Sequence, residues 1–65
     1  MTITLNGEQQ QSDAGTLAAL VEALGFAEAP VATALNGTFV PRTVRARTPL
    51  NDGDRIEIVA PMQGG

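Results

Sequence analysis

The chain has 65 residues and a formal net charge of −3, a length that supports one small domain. It contains no Cys, His, Lys, Trp or Tyr. The side chains that most often bind metals, attack substrates or transfer protons are therefore missing. We expect neither an enzyme nor a metal-binding protein, and no bound cofactor.

The acidic balance excludes further classes of partner. Four Arg against seven Asp and Glu give the wrong sign for binding a phosphate backbone, and only two Phe could stack on bases. No run approaches the roughly 20 apolar residues that cross a bilayer, and residues 1–5 lack the charged start of a secretory signal. We expect a cytoplasmic protein without nucleic-acid or membrane partners.

The chain begins with a pattern typical of a β-hairpin. Residues 2–5 alternate polar and apolar side chains, and residues 8–12 continue as a polar partner strand. Between them, Asn6 and Gly7 can adopt the two positive φ angles of a type I′ turn.

The next segment predicts one short amphipathic helix. Its apolar side chains recur at i, i+3, i+4 and i+7, which places them on one helical face. They are Leu17, Leu20, Val21 and Leu24. Thr16 is the predicted N-cap, and Gly25 supplies the left-handed residue that ends the helix.

A second strand and turn follow at residues 31–37, where Asn36 and Gly37 repeat the Asn-Gly pair. Residues 38–40 form a brief return, which Pro41 ends because proline has no amide to donate. Residues 42–50 show neither the strand period of two nor the helical period of 3.6, and they are predicted to be a loop or an irregular turn.

Three arginines, Arg42, Arg45 and Arg47, lie in this predicted loop. The simplest interpretation is a solvated loop. The alternative is that they steer docking onto an acidic partner, as exposed charge clusters can.

Residues 51–54 predict a tight turn, and residues 55–60 the last strand. Its period of two places Ile56, Ile58 and Ala60 on the core face and Val59 on the opposite face. One helix and four to five short strands with one apolar face each predict an α+β domain over residues 1–61. Exposed Val59 is either a scattered surface residue or part of a docking patch.

Residues 62–65 belong to no predicted element and end in Gly64-Gly65, so we expect a flexible tail with a free carboxylate. One interpretation is a frayed end or an expression scar. The other is a group carrier, since two residues without Cβ can enter a channel too narrow for other side chains. A partner enzyme would then activate the carboxyl, most simply as an acyl adenylate.

The chain resembles the ThiS family, the sulfur carriers of thiamine biosynthesis, which are ubiquitin-like β-grasp proteins. The resemblance spans nearly all 65 residues, and its most specific part is the closing run to the diglycine. The matching segments are residues 3–8 (Ile-Thr-Leu-Asn-Gly-Glu), 16–24, 34–37 (Ala-Leu-Asn-Gly), 40–42 (Val-Pro-Arg), 49–50, 52–59 and 63–65 (Gln-Gly-Gly).

This resemblance implies a mixed sheet with one packed helix, and a protein that is modified rather than catalytic. An E1-like adenylating enzyme would use ATP to activate Gly65, which a sulfur donor system would convert to a thiocarboxylate for thiazole synthase. Gly64 and Gln63 would thread the partners' active sites.

For docking onto these partners we predict a surface that includes Val59, Met62 and Arg42. Two alternatives remain. One is a related β-grasp carrier for molybdopterin or cysteine synthesis. The other is a ubiquitin-like module that binds partners without being modified.

Overall fold

The computed structural model describes residues 1–60, which form a five-stranded mixed sheet with one α-helix packed on one face. The strands lie in the order β2-β1-β5-β3-β4, and only the β1–β5 pair is parallel. The elements are β1 (Thr2–Leu5), β2 (Glu8–Gln11), α1 (Leu17–Ala23), β3 (Ala32–Leu35), β4 (Thr38–Val40), a 3₁₀ helix (Arg42–Arg47) and β5 (Arg55–Val59). The predicted α+β class, with one helix on four to five strands, is confirmed.

The two predicted Asn-Gly turns are confirmed by their backbone angles. Asn6 and Asn36 each have a φ of 50°, and the glycines that follow them each have a φ of 86°. Two consecutive positive φ angles are those of the type I′ turn, whose twist matches that of the flanking strands.

The helix has the caps that its sequence predicts. The Thr16 hydroxyl accepts a hydrogen bond from the Ala19 amide at 3.1 Å, and Gly25 has a φ of 86°. Leu17, Leu20 and Val21 are buried against the sheet, while Leu24, at the helix end, is only partly buried.

The core lies between α1 and the inner face of the sheet. The central strand β5 contributes Ile56 and Ile58, and β1 contributes Ile3 and Leu5. The buried apolar residues are Ile3, Leu5, Leu17, Leu20, Val21, Val40, Leu50, Ile56 and Ile58. Alternate residues of each strand therefore face the opposite, outer side of the sheet.

The prediction of a loop or irregular turn at residues 42–50 is wrong for residues 42–47, which form a 3₁₀ helix that packs beside α1. The Val44 amide donates to the Pro41 carbonyl at 3.0 Å, which is the i to i+3 bond of such a helix. A 3₁₀ helix has three residues per turn, so its sequence shows neither the period of two of a strand nor the period of 3.6 of an α-helix.

The solvated interpretation of the arginines is wrong for Arg45, which is 6% exposed. Its Nε donates to the Thr33 hydroxyl at 3.0 Å, and its Nη2 donates to the Val31 carbonyl at 2.6 Å. Thr33 in turn donates to the Val40 carbonyl at 2.8 Å. Burial is tolerated because these oxygens partner the guanidinium donors.

The last strand is one residue shorter than predicted. Strand β5 ends at Val59, and Ala60 is exposed rather than turned into the core. The predicted domain end at Pro61 and the predicted tail at residues 62–65 lie outside the described residues.

Candidate docking face and the end of the last strand

The outer face of the sheet carries two large exposed apolar side chains. Val59 is 60% exposed and Phe39 is 65% exposed. The outward orientation that the period of two predicts for Val59 is thereby confirmed. Burying a side chain of this kind contributes about 1.5–3 kcal/mol, so the pair is a strong candidate contact surface.

The pairing of three strands brings these two residues to one hollow. Ala32 pairs with Val59 across β3 and β5, and Ala34 pairs with Phe39 across β3 and β4. Because alanine side chains are short, they leave a hollow of about 270 Å³ between the larger neighbours. We call the surface formed by Ala32, Ala34, Phe39 and Val59 the apolar hollow.

Glu57 borders the apolar hollow, since it pairs with Ala34 on the same face. An apolar side chain with a cationic group beside it complements this combination. The lining of the hollow is mostly apolar, which suits the binding of a partner.

Sequence reasoning missed Phe39, although the signal is present. In the short strand Thr38–Val40, Val40 is buried and the neighbouring Phe39 must therefore face outward. In the same way, Ala32 and Ala34 alternate with the inward-facing Thr33, which places both alanines on the outer face.

The structure does not bring Arg42 to the apolar hollow. Exposed Arg42 borders a different hollow, of about 220 Å³, between α1 and the 3₁₀ helix. Glu22 of α1 and Ala27, which follows α1, also line it. Of the residues predicted for docking, Val59 and Arg42 therefore lie on separate surfaces, and Met62 lies outside the described residues.

Strand β5 connects the apolar hollow to the predicted tail. It is the central strand, paired with β1 on one edge and with β3 on the other, and the chain continues from Val59 and Ala60 into residues 61–65. Gly65, Gly64 and Gln63 lie outside the described residues. The contacts that hold β5 in the sheet therefore fix the position of Ala60, after which these residues follow.

Residues 1–60 contain neither a cluster of metal-binding side chains nor a membrane-spanning helix. No three acidic side chains there come close enough together to hold a metal ion. No helix within the same residues is both long enough and apolar enough to cross a membrane.

Comparison with known proteins identifies relatives over the whole chain. The family model described as the ThiS family matches residues 3–65. The sulfur carrier protein ThiS of Thermus thermophilus is 42% identical over 64 residues, which are 97% of this chain and 98% of that protein.

Two thiazole synthases also match all of this chain. The protein of Paramagnetospirillum magneticum is 39% identical and that of Magnetococcus marinus 41% identical, each over 66 residues. The chain spans only about 20% of the length of either of these relatives.

The fold agrees with the sequence matches. The crystal structure of the thiamine biosynthesis protein (ThiS) from Geobacter metallireducens superposes with a TM-score of 0.83 at 35% identity, covering both chains completely. A solution structure of a thiamine biosynthesis protein from the same organism gives a TM-score of 0.81 at 33% identity, covering 88% of that chain. The fold is the β-grasp fold of these proteins, and the chain belongs to the ThiS family.

Proposed function

We propose that this protein is a cytoplasmic sulfur carrier of thiamine biosynthesis that carries the sulfur as a thiocarboxylate at Gly65. The observation that supports this most directly is the family match over residues 3–65, which includes the final Gly64-Gly65. The near-complete overlap with a protein named as a sulfur carrier supports the same role.

The proposed chemistry takes place at a carboxylate, which is a poor electrophile until it is activated. The Gly65 carboxylate attacks the α-phosphorus of ATP in an E1-like adenylating enzyme, which releases pyrophosphate and leaves an acyl adenylate. Sulfide-level sulfur from a donor system then attacks the acyl carbon, which forms the C–S bond, breaks the bond to AMP and leaves a thiocarboxylate. The carrier catalyses neither step, in keeping with its lack of Cys, His and Lys.

We propose thiazole synthase as the acceptor of the sulfur. The support is that two proteins named thiazole synthase contain a segment similar to the whole of this chain. A carrier-like domain within the same polypeptide as the synthase indicates that the two act together.

The apolar hollow is the proposed docking surface for these enzymes. Val59 lies six residues before Gly65, so a partner that covers Val59 also holds the end of the chain nearby. Five residues beyond Ala60 span at most about 18 Å, which limits how far the activating site can lie from the hollow. Met62, Gln63 and Gly64 would pass through the channel leading to that site.

The experiment is intact-mass measurement of the protein purified from its own host. We expect a species heavier by the exchange of one oxygen for sulfur, with fragmentation placing the change at Gly65. Incubation with thiazole synthase and its other substrates should return that species to the unmodified mass. Protein that stays unmodified in cells starved of thiamine would overturn the proposal.

The same experiment separates the rival functions. A thiocarboxylate that persists with thiazole synthase, but is consumed by a molybdopterin or cysteine synthesis extract, would assign the carrier to that pathway. A binding module without a covalent role would show no mass change under any of these conditions.

A further inference from the structure

The two hairpin turns share the tripeptide Leu-Asn-Gly, at residues 5–7 and 35–37. Their backbones are alike, since Asn6 and Asn36 both have a φ of 50°. Any difference in their roles must therefore come from what the two asparagine side chains contact.

The Asn6 side chain pairs with the main chain of Ile58. Its Nδ2 donates to the Ile58 carbonyl at 3.1 Å, and its Oδ1 accepts from the Ile58 amide at 2.9 Å. These two residues are 52 positions apart in the chain. A side-chain amide has the same donor and acceptor as a peptide group, so Asn6 pairs with β5 as a further strand residue would.

This contact lies where β1 stops. Strand β1 ends at Leu5, which pairs with Ile56, and the Asn6 amide donates to the Ile56 carbonyl at 2.9 Å. The Asn6 side chain therefore continues the pairing along this edge of β5 as far as Ile58.

The Asn36 side chain holds the opposite end of the same strand. Its Oδ1 accepts from the Arg55 amide at 2.9 Å, and its Nδ2 donates to Asp54 at 3.0 Å. Asn36 thus holds the beginning of β5 on its β3 edge, whereas Asn6 holds the end of β5 on its β1 edge.

We propose that Asn6 is a positioning residue, whose amide fixes the direction in which β5 leads toward Gly65. On the other edge, β3 pairs with β5 through Ala32 and Val59. With Asn6 in place, the strand is held on both edges to within two residues of Ala60. This inference rests on the proposed function, because the direction of β5 affects activity only if Gly65 is the residue that is modified.

The physical reason is orientation. When a partner binds the apolar hollow, the Gly65 carboxylate must still be correctly oriented in the activating site. The reaction rate depends steeply on the distance and orientation of the reacting groups. Releasing one edge of β5 at Ile58 widens the range of directions from which the following residues start. Binding to the hollow is proposed to use the side chains of Phe39 and Val59, whereas the Asn6 side chain bonds to the main chain of Ile58.

The test compares Asn6→Gly with Asn36→Gly. Glycine accepts the positive φ at both turns, so each variant loses a side-chain amide and keeps its turn. Amide hydrogen exchange should accelerate at Ile58 in the first variant and at Arg55 in the second. In ATP–pyrophosphate exchange with the host's E1-like enzyme, kcat should fall about tenfold for Asn6→Gly with KM unchanged, and should stay near wild type for Asn36→Gly.

Equal kcat values for the two variants would overturn the positioning role, as would unchanged exchange at Ile58 in Asn6→Gly. Wild-type protein that supports no ATP–pyrophosphate exchange would instead overturn the proposed function, and this inference with it. Asn6→Asp keeps the acceptor for the Ile58 amide but replaces the donor with a carboxylate oxygen, which the Ile58 carbonyl repels. Its kcat should also fall below that of wild type, and it replaces Asn6→Gly, with Asn36→Gly kept as the control, should Asn6→Gly not fold.

Discussion

A single step along β5 reverses the environment of a side chain. Ile58 is 7% exposed and packs in the core, whereas the next residue, Val59, is 60% exposed on the outer face. The difference follows from the period of two in an extended strand, which sends successive side chains to opposite faces. Adjacent positions can therefore separate folding from docking.

We expect Val59→Asp to weaken docking without unfolding the protein. In the wild type, burial of the Val59 side chain by the partner would contribute about 1.5–3 kcal/mol to binding, and the Asp variant loses this contribution. Binding to the E1-like enzyme, measured by calorimetry, should weaken at least tenfold. The free energy of unfolding in urea should stay within about 0.5 kcal/mol of wild type, as for most surface substitutions.

Ile58→Asp is the matched control one residue earlier. It buries an unpaired carboxylate, which costs several kcal/mol and exceeds what a domain of this size tolerates. It should be unfolded by circular dichroism. A folded Ile58→Asp alongside an unfolded Val59→Asp would reverse the assignment of the two faces.

At the level of single residues, the sequence predicts environments where periodicity acts and fails where a polar group is buried. Val59 could be placed on the outer face by alternation alone. Arg45 could not be placed in the interior, because its burial depends on the Thr33 hydroxyl and the Val31 carbonyl, which only the fold brings to it. Charge pattern alone favours a solvated position for arginine.

At the level of elements, the strands and α1 could be predicted because caps, turns and periods agree. Thr16, Gly25 and the two Asn-Gly turns each mark a boundary that the structure reproduces. The 3₁₀ helix could not, since it is held by contacts to other elements rather than by a local apolar pattern. Arg45 is the main polar connection between this helix and β3.

We expect Arg45→Ala to destabilise the domain through this connection. The substitution removes a buried hydrogen bond to the Thr33 hydroxyl and a partly buried one to the Val31 carbonyl, which costs about 1–3 kcal/mol. Urea unfolding followed by circular dichroism should show a lower midpoint. Arg47→Ala, at an exposed position of the same 3₁₀ helix, is the control and should change the midpoint little. Equal effects for the two variants would contradict a structural role for Arg45.

At the level of the whole molecule, the proposed function assigns different tasks to the two parts of the chain. The described residues 1–60 contain the core and the docking face, and the proposed chemistry takes place at Gly65. Stability and modification should therefore respond to different substitutions.

Deleting Gly64 and Gly65 should abolish ATP-dependent modification and leave the thermal midpoint unchanged, because the core is formed by earlier residues. Gly64→Val should also block modification, since its branched Cβ would not fit a channel shaped for glycine. Mass spectrometry after incubation with the activating enzyme measures the first effect, and calorimetry the second. Modification of Gly64→Val at the wild-type rate would contradict the narrow channel.

The absence of lysine also bears on the chemistry of the whole carrier. An acyl adenylate reacts with amines, and the α-amine of Met1 is the only primary amine in this sequence. That amine donates to the Ser12 carbonyl at 3.1 Å, and the Ser12 amide donates back to the Met1 carbonyl at 2.9 Å. The hairpin thus holds the one amine that could attack an activated Gly65.

We therefore expect the activated protein not to ligate to copies of itself. Incubated with activating enzyme and ATP but no sulfur source, the wild type should lose its adenylate to hydrolysis. Arg42→Lys and Arg47→Lys place an amine at exposed positions and should yield covalent dimers on a denaturing gel. Arg45→Lys is the internal control, since position 45 is 6% exposed and an amine there is shielded from a second molecule. Self-ligation requires an accessible nucleophile, which the wild type is expected to lack. Wild-type dimers as abundant as those of the exposed lysine variants would therefore show that the absence of lysine gives no protection.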